Sequence, residues 1–192
     1  MTIAPTQSRR YTAEEYLALE VESDIRNEYC NGEIIPMTGG TPEHNEITGN
    51  LVFLLKSALK GQPYSIFVTD QRLWIPELDL YTYPDVMMTH RPLELKPGRR
   101  DTVMNPILLV EVLSDSTQGY DRGNKFEAYR TIPTFQEYLL IDQYKPHVEQ
   151  FVRQSENQWL FTEYRGLEAQ IGLALVPVEL ALKDLYEGVI GE

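Results

Sequence analysis

The stretch Ile107-Leu108-Leu109-Val110-Glu111-Val112-Leu113 decides the fold prediction for this chain. Six of its seven residues are apolar, which is typical of a strand buried on both faces of a sheet. We expect this strand to cover residues 107–114, with a helix and then a second strand at 137–142. A strand–helix–strand order predicts a parallel pair of strands joined by a right-handed crossover.

Glu111 interrupts that apolar run. A buried carboxylate without a partner is costly, so it normally becomes protonated, pairs with a cation or binds a metal. The alternative is that Glu111 faces an open side of the sheet or pairs with an arginine. Asp85 is a similar case, because Pro84-Asp85 opens a predicted strand at 83–89, where a proline is tolerated at the strand start. Taken alone, Pro-Asp is also an ordinary turn signal.

Two further polar residues are candidates for chemistry. Asp121 is predicted to cap a helix running to about residue 131, on which Lys125 borders the apolar stripe formed by Phe126 and Tyr129. His44 lies near the start of an earlier helix, where the helix dipole favours its neutral form. The alternatives are a solvated surface lysine and a capping or packing histidine.

Capping and turn signals predict the other elements. Thr12 and Glu15 form a capping box for a helix to about Glu22, and Asn31-Gly32 suits a hairpin with arms at 26–30 and 33–37. Further helices are predicted at 41–61 and 178–186, and further strands at 64–69, 71–76, 147–153 and 159–164. This order predicts an α/β (mixed α+β) fold with a central mixed sheet flanked by helices and an N-terminal helix–hairpin extension. We expect one domain at 11–192 after a flexible tail at 1–10.

Composition excludes several classes of protein. The 192 residues are 42% hydrophobic, which excludes a disordered or fibrous chain. The longest apolar run, 51–55, is far shorter than the ~18 residues of a membrane span. The N-terminus has no apolar signal region, so we expect a cytoplasmic protein. The single cysteine, Cys30, excludes an internal disulfide and a zinc site built from several thiolates.

The charge of the chain is unevenly distributed. The net charge of −12 opposes general binding to nucleic acids, whose phosphates favour basic surfaces. Residues 89–130 nevertheless hold seven Lys/Arg against six Asp/Glu, a net charge of +1, and the remainder carries −13. The segment 89–130 is therefore the candidate phosphate-facing part of the chain.

The candidate residues form a chemically coherent set. Two acids on successive strands offer the oxygen ligands that Mg²⁺ prefers, and a bound metal makes a coordinated water easier to deprotonate. An ammonium group on the next helix can stabilise charge that develops on a phosphate. The combination therefore points to phosphodiester chemistry more strongly than any one of its members.

Four segments together resemble the Uma2 family of restriction endonucleases, within the PD-(D/E)XK nuclease superfamily. These segments are Pro84-Asp85, Val110-Glu111-Val112-Leu113-Ser114, the stretch 120–130 that begins Tyr120-Asp121-Arg122-Gly123-Asn124-Lys125-Phe126, and 137–142. The resemblance continues upstream at Asn27-Glu28, at Asn31-Gly32-Glu33, at Met37 and at His44, and it covers about residues 11–185.

The resemblance implies a restriction-endonuclease-like αβββαβ core. It implies Asp85 and Glu111 as ligands of Mg²⁺ or Mn²⁺, with the backbone carbonyl of Val112 as a third ligand. The superfamily places a lysine two residues after the acid, where this chain has Leu113. The resemblance makes Lys125 the replacement for that lysine, provided that its ammonium reaches the two acids. It also implies supporting catalytic positions for Glu28 and His44.

We therefore expect a divalent-metal-dependent endonuclease that hydrolyses DNA, most simply as a homodimer. The alternative is a catalytically inactive nuclease-fold protein that serves as a binding or regulatory partner, which the −12 charge favours. Basic residues around the acids would favour the enzyme, and the clearest candidates are Arg91, Lys96, Arg99 and Arg100. A sugar hydrolase with Asp85 and Glu111 as its carboxylate pair is a third possibility, with no other sequence feature in its favour.

Overall fold

The computed structural model describes residues 9–190. Its helical segments are α1 (Ala13–Glu22), α2 (Pro42–Ala58), a 3-10 turn (Pro76–Leu78), α3 (Gln118–Tyr120), a π-helical turn (Asp121–Lys125), α4 (Phe126–Tyr129) and α5 (Leu182–Leu185). Its strands are β1 (Asn27–Cys30), β2 (Glu33–Pro36), β3 (Tyr64–Val68), β4 (Arg72–Ile75), β5 (Leu80–Thr82), β6 (Val86–His90), β7 (Thr102–Val103), β8 (Pro106–Leu113), β9 (Glu137–Asp142), β10 (His147–Ser155), β11 (Gln158–Arg165), β12 (Gln170–Gly172) and β13 (Glu179–Ala181).

A six-stranded mixed sheet contains the stretch that opened the sequence analysis. Its strand order is β11-β10-β9-β8-β6-β3, and β8 pairs in parallel with β9 and antiparallel with β6. The predicted parallel pair and the mixed α+β fold are therefore confirmed. The register places Val86 of β6 opposite Val110 of β8, so the start of β6 lies beside the end of β8.

A second, five-stranded sheet has the order β2-β1-β5-β4-β7. The predicted hairpin is present, and its turn residues Asn31 and Gly32 have φ angles of 49° and 91°, as a type I′ turn requires. The hairpin is part of this sheet rather than a separate extension, because Tyr29 of β1 pairs with Tyr81 of β5.

The elements form four layers around three apolar clusters. The first cluster joins α2 and the C-terminal segment to one face of the six-stranded sheet. The second fills the space between the two sheets and reaches α4. The third lies where α1 packs on the outer face of the five-stranded sheet, through Tyr16, Leu17, Tyr29 and Tyr81. The capping box of Thr12 and Glu15 starts α1 as predicted.

The predicted C-terminal helix at 178–186 is wrong for most of its length. Residues 179–181 form β13, paired with β12, and only Leu182–Leu185 are helical. Val178, Leu180 and Leu182 are all buried, and this spacing of two is the period of a strand, although the four-residue spacing of Val178 and Leu182 also fits one face of a helix. Pairing with β12 decides between the two, and β12 has no strong sequence signal of its own.

The predicted tail at 1–10 lies outside the described residues for positions 1–8. Arg9 and Arg10 are exposed, and Arg9 lies 4.6 Å above the Tyr11 ring. Between residues 9 and 190, no helix is long and apolar enough to cross a bilayer. The single-domain prediction for 11–192 stays a prediction.

Candidate active site

The candidate site lies between the two sheets, at the carboxyl end of β8. Val110 and Val112 belong to the apolar cluster that contains α2, so Glu111 between them points to the opposite face, towards the five-stranded sheet. Glu28 alternates in the same way with Tyr29, whose ring packs against α1 on the outer face. Strand alternation thus directs Glu111 and Glu28 into the same space.

Asp85 lies immediately before β6 and holds two neighbours. Its Oδ2 accepts a 2.8 Å hydrogen bond from the backbone N–H of Val112 and lies 3.1 Å from Nε2 of His44. The N–H and C=O of one strand residue point to the same side, so the Val112 carbonyl also faces the side of β8 where Asp85 lies. The structure therefore brings Asp85, Val112 and His44 together.

Glu111 contacts the helical segment 118–129. Its Oε1 accepts a 2.6 Å hydrogen bond from the Tyr129 hydroxyl, and its Oε2 lies 3.2 Å from Nζ of Lys125. The same Nζ lies 3.7 Å from Oε1 of Glu28, which also accepts a hydrogen bond from the Thr82 hydroxyl. The Lys125 ammonium therefore contacts Glu111 and Glu28, whereas Asp85, the other acid of the expected pair, is not among its ion-pair partners.

Asp121 is the site residue that the sequence interpretation missed. It was expected to cap a helix, but the helix begins at Gln118 and Asp121 opens the π-helical turn. Its side chain is 2% exposed, and Oδ1 lies 3.3 Å from Nζ of Lys125. The four-residue spacing between Asp121 and Lys125 is the sequence signal that could have identified the contact. We call Glu28, Glu111, Asp121 and Lys125 the lysine cluster.

Burial and charge shift the pKa values of the cluster in consistent directions. Burial raises the pKa of Glu111 well above its ordinary range, and Lys125 opposes that shift. Burial also raises the pKa of Asp121. Burial by itself would lower the pKa of Lys125, but the surrounding carboxylates, Glu111 first, outweigh it and raise that pKa well above its ordinary value.

The pKa of His44 is shifted by its partner Asp85. Burial favours the neutral imidazole, but the hydrogen bond to Asp85 and the charge of Asp85 together raise the His44 pKa. This shift is the reverse of the sequence expectation, which considered only the helix dipole. The Thr41 hydroxyl caps α2 by accepting the His44 N–H at 3.2 Å, so the first turn of the helix fixes the position of this residue.

The donor set fits a hard divalent cation. Asp85 and the lysine cluster together bury four carboxyl groups beside one ammonium and one imidazole. Such an excess of carboxylate is balanced by protons or by a bound cation. Within residues 9–190, no three His, Cys, Asp or Glu side chains gather as a ligand set. Asp85, Glu111 and the Val112 carbonyl would thus complete their shell with waters, as is usual for Mg²⁺.

The basic loop after β6 makes its contacts elsewhere. Nζ of Lys96 lies 3.7 Å from the centre of the Trp74 ring, on the five-stranded sheet. Arg99 pairs with Asp101 at 2.8 Å, and Nε of Arg91 donates to the Ser65 hydroxyl at 3.1 Å. These contacts direct three of the four basic side chains to partners outside the candidate site.

Comparisons with known proteins agree on one family. Residues 13–183 match the model of a family described as "Uma2: Putative restriction endonuclease". An uncharacterized protein of Synechocystis sp., sll1609, is 42% identical over 178 residues, covering 93% of this chain and 99% of that protein. A second uncharacterized Synechocystis protein, slr1290, is 32% identical over 180 residues, covering 94% and 93%.

One solved structure supports the fold. A crystal structure from Anabaena variabilis, described as "a putative nuclease belonging to DUF820", matches with a TM-score of 0.76. The match covers 94% of this chain and 99% of that one at 21% identity, so it shows the fold alone. The extent of the family match and the 42% identity together show that this chain belongs to the Uma2 family.

Proposed function

We propose that this chain is a divalent-metal-dependent endonuclease that hydrolyses DNA phosphodiester bonds, with a PD-(D/E)XK-type site. Asp85, Glu111 and the backbone carbonyl of Val112 hold Mg²⁺ or Mn²⁺ in this proposal. The observation that carries it is the 3.2 Å contact between Nζ of Lys125 and Oε2 of Glu111. That contact supports Lys125 as the lysine that the superfamily pattern requires.

Each protein group has a defined task in the proposed reaction. A bound divalent ion would lower the pKa of a coordinated water and withdraw charge from the phosphate. Lys125 orients the attacking water or stabilises the charge that develops on the phosphate. His44 holds Asp85 through its 3.1 Å contact and is placed to assist proton transfer. Glu28 supports Lys125 from the five-stranded sheet.

The second candidate is a nuclease-fold protein without catalytic activity. It is favoured by the net charge of −12 and by the basic loop, whose Arg91, Lys96 and Arg99 contact residues outside the candidate site. Burial of the candidate groups also favours it, because the side chains of Asp85, Glu111 and Lys125 are at most 11% exposed. In this case Lys125 neutralises the acids permanently and no metal binds.

Calorimetric titration with Mn²⁺ after treatment with a chelator separates the two candidates. We expect wild type to bind Mn²⁺ and Glu111→Gln to lose that binding, because the amide removes an anionic ligand. Glu137→Gln is the matched control: Glu137 is also buried, but its oxygens accept from the side chain of Gln150 and the backbone N–H of Ala174. It should bind Mn²⁺ as wild type does.

DNA cleavage is tested with wild type and a further variant. Wild type that binds Mn²⁺ should nick some member of a panel of duplex, single-stranded and branched DNA, and Asp85→Asn should abolish both binding and nicking. A wild type that binds no Mn²⁺ would contradict the enzyme and favour the inactive partner. The expected homodimer and cytoplasmic location stay predictions beside this proposal.

A further inference from the structure

Asp121 makes a short ionic contact with Lys125. Its Oδ1 lies 3.3 Å from Nζ, and within residues 9–190 that oxygen has no hydrogen-bond partner besides this contact. The side chains of Asp121 and Lys125 are 2% and 9% exposed, so water does not screen the contact. The ammonium is therefore the group that compensates the Asp121 carboxylate.

Lys125 lies among three carboxylates. The distances from Nζ are 3.2 Å to Glu111, 3.3 Å to Asp121 and 3.7 Å to Glu28. An ammonium has three hydrogens and no acceptor, so one hydrogen is available for each carboxylate. Glu111 is a proposed metal ligand, whereas Asp121 is on the helical segment that carries Lys125.

The π-helical turn brings the relevant side chains into line. Asp121, Lys125 and Tyr129 are four residues apart, and four residues of a regular α-helix overshoot a full turn by about 40°. A π turn has more residues per turn, so the rotation per residue is smaller and the overshoot is reduced. Asp121 in this turn contacts Lys125, and Tyr129, in the α-helical turn that follows, contacts Glu111. The Tyr138 hydroxyl fixes the turn by donating to the Asp121 backbone carbonyl at 3.1 Å.

We propose that Asp121 is the positioning residue for Lys125, and that it keeps the ammonium in place when Glu111 turns its oxygens to a metal. The proposal deepens the proposed function and rests on it for the metal-bound state. Asp121 acts only through Lys125 and is not itself a ligand. Without Asp121, the ammonium moves towards Glu111 and Glu28, where it competes with the metal for Glu111.

The metal-free protein provides the first test. The chain has six lysines, and Lys125 is buried, so its ammonium should give a ¹⁵N signal protected from solvent exchange. We expect Asp121→Asn to shift that signal and to speed its exchange with water. Lys125→Met assigns the signal, and Asp184→Asn, at an acid outside the site, should leave it unchanged. An unchanged Lys125 signal in Asp121→Asn would overturn the proposal.

Mn²⁺ affinity provides the second test, as a double-mutant cycle. We expect Asp121→Asn to lower the affinity by about tenfold, as is typical when a group supporting a ligand is removed. Lys125→Met should raise the affinity, and adding Asp121→Asn to Lys125→Met should change it by less than about threefold, because no ammonium remains to be misplaced. An equal loss in both backgrounds would mean that Asp121 acts on the metal directly, which contradicts the proposal.

The outcomes of the two tests are independent of each other. If wild type binds no Mn²⁺, the metal-dependent function fails, while the ¹⁵N measurement still decides whether Asp121 positions Lys125. Asp121→Glu covers the case in which Asp121→Asn does not fold, because it keeps the charge and moves the carboxylate by one methylene. Its Lys125 signal should differ from wild type, and an identical signal would again overturn the proposal.

Discussion

Two regions of this molecule pair a buried cation with one or more carboxylates, and they do so differently. In the lysine cluster, Lys125 is the only cation for three carboxylates, and Oδ1 of Asp121 has no hydrogen bond among the described residues. On the outer face of the five-stranded sheet, Arg72 donates to the Tyr83 hydroxyl at 2.7 Å and to Asp101 at 3.1 Å. We call Glu20, Arg72, Tyr83 and Asp101 the arginine cluster.

The buried polar groups of the arginine cluster have hydrogen-bond partners. Glu20 accepts from the Tyr83 hydroxyl and from both the backbone and the side chain of Asn27, each at 3.1 Å. None of the buried polar side-chain atoms in this cluster lacks a partner. A satisfied cluster stabilises the fold, whereas a cluster with surplus carboxylate retains capacity for a further cation. Because of this contrast, we place the proposed function at the lysine cluster.

The largest expected effect comes from removing each cation. Lys125→Met should destabilise the metal-free protein by about 3–5 kcal/mol, because buried carboxylates lose their only counter-charge. Urea unfolding measures this loss, and saturating Mn²⁺ should recover much of it by binding to the folded state. Arg72→Met should cost about 2–3 kcal/mol through lost charged hydrogen bonds.

The effect of Mn²⁺ on the stability of the two variants tests the difference between the clusters. The cost of Arg72→Met should be the same with and without Mn²⁺, since its cluster has no capacity for a metal. If Mn²⁺ rescued both variants or neither, the two clusters would not differ as the hydrogen bonds indicate.

A smaller effect of opposite sign is expected from Glu111→Gln. Burial raises the pKa of Glu111, so the folded state disfavours its charge and the neutral amide should stabilise the metal-free protein. We expect a gain of about 1 kcal/mol in the free energy of unfolding, a trade of stability for function of the kind found at active sites. A loss of stability would show that Glu111 is a structural partner of Lys125, as Asp101 is for Arg72.

The smallest effect concerns two adjacent glycines. A Cβ at Gly40 would lie 2.8 Å from Nδ1 of His44, whereas a Cβ at Gly39 would meet no atom within 4 Å. Gly40→Ala should therefore displace the His44 ring from Asp85, at a cost of about 1 kcal/mol or less in stability. The ring signals of His44 in NMR spectra measure the displacement. Gly39→Ala is the control, and a similar shift in both variants would contradict this account.

Local patterns predicted much of the fold correctly. The apolar run around Glu111, the capping box at Thr12 and the turn at Asn31-Gly32 depend on contacts within a few residues, so the sequence reports them directly. The predictions failed where distant pairing decided the outcome. Residues 179–181 are a strand because β12 pairs with them. β5 is a strand because it pairs with β1 and β4, and no local sequence pattern predicts those pairings.

For the candidate site too, local patterns could be predicted from the sequence, whereas long-range contacts could not. By itself the sequence determined which residues are chemically unusual, because residue types alone identify an acid in an apolar strand and the family motifs. Only the tertiary structure decided that Glu28 from β1 approaches Lys125, and that Asp121 points inward from a π-helical turn instead of capping a helix. The physical reason is range: periodicity follows from the local backbone geometry of each element. A shared charge cluster, by contrast, requires two sheets to close on each other and exclude water.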